Sequence, residues 1–220
     1  MLVEIKHHLI NVPLTINYWQ SDGTGSDKSA VLFLHGYSDS ARSFLRRLGF
    51  WEKELPFGVI APNAPFPVPV KDGTFYKEAF SWYFMDSSRK SVLIAPEVAV
   101  KLLVDFFRDQ GWLEKKIIVV GFSQGGFLAP RLVPALKNIE RIICVGSRYR
   151  ADAYSDWRGV RVDAVHGASD EVINPGEAQS DFEALDLNKY GGSFHVIENM
   201  THRITETCGK KVLELLTDNT

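Results

Sequence analysis

Cysteine is scarce in this sequence, with Cys144 and Cys208 the only two in 220 residues. That count excludes a disulfide framework, and the two positions, one in an apolar strand-like run and one in a polar helix-like run, lack metal-site spacing. A reduced, cytoplasmic protein is the expectation. Excess charge of one sign is missing as well: the formal net charge is −2, and the most basic stretch, RYRADAYSDWRGVR, is interrupted by acids and aromatics. Nucleic acid is therefore not expected as a partner. No apolar run approaches the ~20 residues that span a bilayer, so no membrane span is expected. The opening MLVEIKHHLINVPLTINYW alternates polar and apolar residues and reads as strands rather than as a targeting segment. Within it His7 and His8 are adjacent, face opposite sides of a strand and make no metal pair. Internal repeats and interdomain linkers are also absent.

What is present is enough apolar residue, 45% of the chain, to bury one sizeable core, which predicts a single domain over 1–220. Strand-like runs at 30–35, 57–62, 116–122, 141–146, 160–167 and 193–198 alternate with stretches of helical period, ARSFLRRLGFWEKEL, APEVAVKLLVDFFRDQ, QGGFLAPRLVPAL, PGEAQSDFEALDLNKY and RITETCGKKVLELLTD. This order predicts an α/β fold: a doubly wound, mostly parallel sheet with helices on both faces. The first 20 residues are expected to add antiparallel strands at one edge, and GTGSDKS (23–29) to turn into the first central strand. Residues 63–90 fit neither period and are expected to form one long irregular, aromatic-rich connection with no large lid.

Ligands bind at the carboxyl ends of the strands in such sheets. There the chain reads GFSQGG over 121–126, a G-x-S-x-G turn between a strand and a helix. Such an elbow holds its serine in a strained, exposed conformation, which makes Ser123 the candidate nucleophile. A serine needs a base, and the base needs an acid to fix its tautomer. In the chain order serine, acid, histidine, only His195 and His202 come late enough. His195 lies within a strand, whereas His202 lies in the loop NMTHR, which favours His202. For the acid, Asp170 or Glu171 in the loop after 160–167 can reach the strand ends and Asp163, inside the strand, cannot; Asp170 is preferred. Asp152 and Asp156, one connection earlier, are held in reserve, and His166 is expected to brace the loop. Two backbone N–H groups are expected to hold the oxyanion, those of Gln124 and, from LHGYSDS, Tyr37. Asp39 or Ser40 is expected to cap the following helix.

In this order FLHGYSDSARSF, APNAP, SWYFMD, GFSQGG, HGASDEVINP and THRIT cover nearly the whole chain and resemble the phospholipase/carboxylesterase branch of the α/β-hydrolases, which includes the acyl-protein thioesterases. The resemblance implies ester or thioester hydrolysis by a Ser123–Asp170–His202 triad without metal or organic cofactor, on a small-molecule substrate. Two departures bear on substrate preference: Thr201 stands where the family usually has glycine, and Tyr37 where a small or aliphatic residue is common. Trp82, in the segment similar to the family's, is expected either to line an acyl groove or to pin the long loop from the core. The absence of a large lid points to an open site and to short or medium acyl chains. The competing readings are a non-catalytic ligand-binding relative, or a peptidase or haloperoxidase-like hydrolase on the same scaffold.

Overall fold

The computed structural model describes residues 16–24, 29–51, 53–86, 91–150, 159–185 and 191–218. Its first strands are β1 (Tyr18–Ser21), β2 (Ala30–Leu34) and β3 (Gly58–Pro62), followed by the short β4 (Phe66–Pro67), β5 (Val70–Asp72), β6 (Phe75–Lys77), β7 (Phe80–Ser81), β8 (Phe84–Asp86) and β9 (Ser91–Ile94). The remaining strands are β10 (Ile117–Phe122), β11 (Ile139–Val145), β12 (Arg161–Gly167) and β13 (Phe194–Ile197). The helices are α1 (Ala41–Leu48), α2 (Pro96–Asp109), α3 (Gln124–Leu128), α4 (Pro175–Glu183) and α5 (Glu206–Thr217).

Every run expected as a strand enters one sheet, in the order β1-β3-β2-β10-β11-β12-β13. Only the β1–β3 pair is antiparallel; the other neighbours are parallel. The edge expected at the N-terminus is thus made by β1, while residues 1–15, with His7 and His8, and residues 25–28 lie outside the described residues. Successive strand side chains face opposite sides. In β2, Ala30, Leu32 and Leu34 pack with Leu103, Leu128 and Phe182, whereas Val31 and Phe33 pack with Phe44, Val212 and Leu215. A strand buried along its whole length must be covered on both faces. Accordingly α2, α3 and α4 cover one face, and α1 and α5 the other.

The helices form where apolar spacing and caps agree. α2 buries Ala99, Leu103, Phe106 and Phe107 on one stripe and carries Pro96 in its first turn, where the missing N–H costs nothing. α5 is capped by Thr205, whose Oγ1 accepts the Cys208 N–H at 3.3 Å. Ser40 rather than Asp39 caps α1, its Oγ accepting the Ser43 N–H at 3.3 Å. α1 and α3 stop well inside their periodic stretches for visible reasons. α1 stops at Leu48 because Gly49 turns left-handed at φ 76°. Pro130, which lacks an N–H, ends α3 in a 3-10 turn over Ala129–Leu132. Among the described residues no helix is long and apolar enough to cross a membrane.

The connection expected to be irregular is instead folded into two-stranded antiparallel ribbons, β4 with β7, β5 with β6 and β8 with β9. Gly73, at φ 61°, supplies the positive-φ residue in the tight turn joining β5 to β6. Residues 87–90 lie outside the described residues. Because β2, β10, β12 and β13 run parallel, the segments that follow them emerge at one edge of the sheet, which positions the site.

Candidate active site

Ser123 follows β10 directly and sits at φ 50° and ψ −111°, a conformation that a residue with a side chain adopts only under constraint. Its N–H donates to Val145 O (2.9 Å) and its carbonyl accepts from Phe127 N (3.0 Å), so both sides of the turn are tied down. The glycine two residues on is demanded by space: a Cβ on Gly125 would lie 2.1 Å from Leu34 O. The elbow can therefore press against β2 only if that residue lacks a side chain.

The loops after β12 and β13 bring an acid and an imidazole to this serine. Asp170 is buried at 5% exposure, and its Oδ1 accepts the N–H groups of Val172 (2.9 Å) and Ile173 (2.8 Å). Its Oδ2 accepts His202 Nδ1–H at 2.7 Å. A carboxylate can only accept, so the His202 proton is placed on Nδ1 and the Nε2 lone pair receives the Ser123 hydroxyl at 2.9 Å. The Phe122 ring packs on the imidazole with centroids 5.2 Å apart and holds its plane. Such a chain can draw the proton off a serine hydroxyl and stabilise the cation formed.

The alternatives lie elsewhere. Asp163 is fully buried in β12, where Arg141 Nε (2.7 Å), Arg161 Nε (3.1 Å) and Ser193 N (3.1 Å) occupy its oxygens. His195 is on β13 with its Nε2 buried and without a hydrogen bond, and burial, helped by Lys211, lowers its pKa. His166 Nε2–H donates to Ile173 O (3.1 Å) and lies 3.4 Å from Asp170 Oδ2. Burial lowers the pKa of this second imidazole too, keeping it a neutral brace under the acid loop. Glu171 is exposed beside the recess lined by His202 and Arg203. Asp152 and Asp156 lie outside the described residues.

On the other side of Ser123 the segment after β2 is anchored by a histidine that sequence reasoning passed over. His35 is fully buried, and its pKa is lowered to about 4 by loss of solvent. Its neutral ring donates through Nδ1 to Gly36 O (2.7 Å) and accepts the Ala64 N–H at Nε2 (2.9 Å). Gly36 C=O and Tyr37 N–H belong to one peptide, and in a trans peptide they point in opposite directions. Holding that carbonyl on His35 therefore aims the Tyr37 N–H away from the core. No hydrogen bond to a described residue engages the N–H of Tyr37 or of Gln124, the first residue of α3. The Gln124 side chain is fully occupied: its Oε1 accepts the Trp82 N–H (2.9 Å), and its Nε2 donates to Tyr83 O (2.8 Å) and to Ser81 Oγ (3.1 Å). The signal for His35 was in plain view, a histidine before the glycine of a strand-end turn.

Of the two places expected for Trp82, it occupies the second, pinning the connection from the core. It lines neither cavity at Ser123 but is buried at 1% exposure, packed on the His35 ring and donating its Nε1–H to His35 O (2.8 Å). The β4–β7 ribbon and the Gln124 side chain hold it under the site instead of in the groove. Its successors Tyr83, Phe84 and Met85 supply the groove wall. Two cavities meet at Ser123 and share Tyr37. One, of about 670 Å³, reaches Ser38–Ser40, Lys77–Ala79 and His202–Ile204; the other, of about 400 Å³, is lined by Tyr83–Met85, Gln124, Phe127, Ser147, Arg148 and Ile173. The groove wall made by Tyr83–Met85 is joined by Phe127, Arg148 and Ile173, for which the sequence offered no signal. Among the described residues no group of three or more His, Cys, Asp or Glu could hold a metal ion.

Comparison with known proteins follows the same lines. The sequence profile of the family described as serine hydrolase (FSH1) matches residues 25–186. A curated relative, acyl-protein thioesterase 1 of Candida albicans, is 30% identical over 199 residues, covering 77% of this chain and 86% of the relative. Among solved structures, Zea mays acyl-protein thioesterase 2 superposes with a TM-score of 0.69 at 16% identity, covering 91% of this chain and 97% of that one. Esterase PE8 superposes with a TM-score of 0.73 at 22% identity, covering 92% and 98%. At those identities the two superpositions establish the α/β-hydrolase fold.

Proposed function

This chain belongs to the serine hydrolase (FSH1) family, and from that premise we propose that it hydrolyses carboxylic esters and thioesters by way of an acyl-enzyme on Ser123. The observation that carries the reading is the unbroken hydrogen-bonded chain from Ser123 Oγ, on a serine held at positive φ, through His202 to Asp170. His202 Nε2 takes the Ser123 proton as the oxygen attacks the carbonyl carbon. The oxyanion that forms is held by the Tyr37 and Gln124 N–H groups, and that neither is hydrogen-bonded to a described residue supports this role. His202 then delivers its proton to the leaving oxygen or sulfur, and in the second step deprotonates the water that releases the acyl group. Asp170 keeps the imidazole in the tautomer that can accept, and balances its charge while it is cationic.

Short to medium acyl chains suit the site, because the aromatic cavity has a volume of about 400 Å³ and strand β8 of a short ribbon, rather than a large lid, borders it. A reducing compartment fits two buried cysteines present as thiols. The test is turnover of matched oxyester, thioester and amide substrates by wild type and Ser123→Ala, with a p-nitrophenyl ester series for chain length. Ester and thioester turnover lost in Ser123→Ala, with rates falling toward long chains, supports the reading. Turnover that survives Ser123→Ala, or an amide preference, overturns it.

A further inference from the structure

The two cavities at Ser123 differ in which catalytic group they contain, and acyl transfer gives each a different half of the substrate. In the proposed reaction the proton taken by His202 goes to the leaving atom, so the leaving group must lie beside His202. The carbonyl oxygen turns toward the Tyr37 and Gln124 N–H groups, which leaves the remaining direction for the acyl chain. His202 lines the cavity of about 670 Å³ and not the smaller one; Gln124 lines the cavity of about 400 Å³ and not the larger. The acyl chain therefore faces Tyr83, Phe84, Met85, Phe127 and Ile173, a surface suited to hydrocarbon.

We propose that the larger cavity is the leaving-group site and that Arg203 and Lys77 make it select an alcohol or thiol that carries an anion, a carboxylate or a phosphate. This rests on the hydrolase reading above and adds to it the class of leaving group. Arg203 follows His202 in the chain, Lys77 ends β6 on the wall formed by the ribbons, and neither is ion-paired with a described residue. Arg47 lines the same cavity but is held in an ion pair by Asp39. The opposing charge is Glu78, also without an ion pair to a described residue; Glu171 borders a separate recess shared with His202 and Arg203. Within the cavity itself the unpaired cations thus outnumber the unpaired anion. Ser38, Ser40 and Ser43 add hydroxyls to its wall. An apolar alcohol placed there would strip water from these groups without replacing its hydrogen bonds.

The proposal is tested with two hexanoyl thioesters, one of mercaptopropionate and one of the isosteric mercaptopropionamide, which match in size and differ in charge and in one acceptor exchanged for a donor. kcat/KM is measured at low ionic strength, each value divided by the substrate's own hydroxide-catalysed rate. One solvent-exposed charge contact is worth up to about 1 kcal/mol, so the anionic substrate is expected to be favoured about fivefold. That ratio should fall toward one in an Arg203→Gln/Lys77→Gln double variant and shrink as salt is added. Arg108→Gln, on α2 and lining neither cavity, should keep it. A wild type that hydrolyses both substrates with equal normalised kcat/KM, or a preference that survives the double variant, overturns the inference alone. Hydrolysis of neither substrate, with Ser123 inert to a fluorophosphonate, overturns the hydrolase reading and the inference with it.

Discussion

Replacing Asp170 with asparagine changes one atom in the site and should reverse the polarity of the whole relay. Asp170 Oδ1 is fixed by two donors, the N–H groups of Val172 at 2.9 Å and Ile173 at 2.8 Å. An asparagine must offer its carbonyl oxygen to those donors, so its NH₂ group takes the place of Oδ2, 2.7 Å from His202 Nδ1. Two N–H groups cannot face each other there, and the imidazole shifts its proton to Nε2. In that tautomer the nitrogen 2.9 Å from Ser123 Oγ is a donor and cannot accept the hydroxyl proton. Loss of a tautomer-fixing carboxylate of this kind lowers kcat about 10⁴-fold, which corresponds to about 5.5 kcal/mol of transition-state stabilisation. KM should stay within a few-fold, since Asp170 lines neither cavity. The assay is steady-state hydrolysis of a p-nitrophenyl ester at pH 7.5, with a thermal melt to show that the isosteric variant is folded. A folded Asp170→Asn protein that retains more than a tenth of wild-type kcat would refute the role assigned to the acid.

Acid should destabilise the fold through His35. Its folded pKa of about 4 lies below the ordinary value of 6.5, so between those pH values the unfolded chain binds the proton and the folded one does not. Stability is then full above pH 6.5 and lost as the pH falls toward 4, by about 3 kcal/mol from this residue; His166 and His195, also lowered, act in the same direction. Urea melts from pH 7 to 4.5 should show a slope that flattens in His35→Gln, which can still donate to Gly36 O and accept from Ala64 N; an unchanged slope refutes this. Gly125→Ala should cost about 1–3 kcal/mol and most of the activity, because its Cβ meets Leu34 O at 2.1 Å, as calorimetry and kcat would show. Trp82→Phe leaves His35 O without its donor and should lower stability by about 1–3 kcal/mol while the acyl-chain profile stays unchanged. A shifted chain-length optimum in that variant would return Trp82 to the groove.

The parts of this molecule that could be read from sequence are those in which one local pattern has one physical cause. Buried parallel strands favour apolar runs, and β2 and β10 show them unbroken, while β11 and β12 are mostly apolar with a few charged residues set among them. A glycine-flanked serine at a strand end needs an elbow, and Ser123 is in one. The convergence of Asp170 and His202 followed from chain order on a parallel sheet, in which the connections after adjacent strands emerge at the same edge. What was hidden depends on tertiary partners. The ribbons between Phe66 and Ile94 have strands of two to four residues, too short for alternation to show, although DGT at 72–74 carried the turn signal. Trp82 read equally as groove or core, and only the positions of His35 and Gln124 decide it. His35 showed only its place before the glycine of a strand-end turn, because its second partner, Ala64, reaches it only in the folded chain.

The central claim is that the Ser123 oxygen is the nucleophile, and it is tested most directly by mapping a fluorophosphonate adduct by peptide mass spectrometry. The account predicts one adduct per chain, on Ser123, formed quickly by wild type, slowly by Asp170→Asn and not at all by Ser123→Ala. Modification of another residue, or a wild type that stays unmodified while hydrolysing esters, would contradict it.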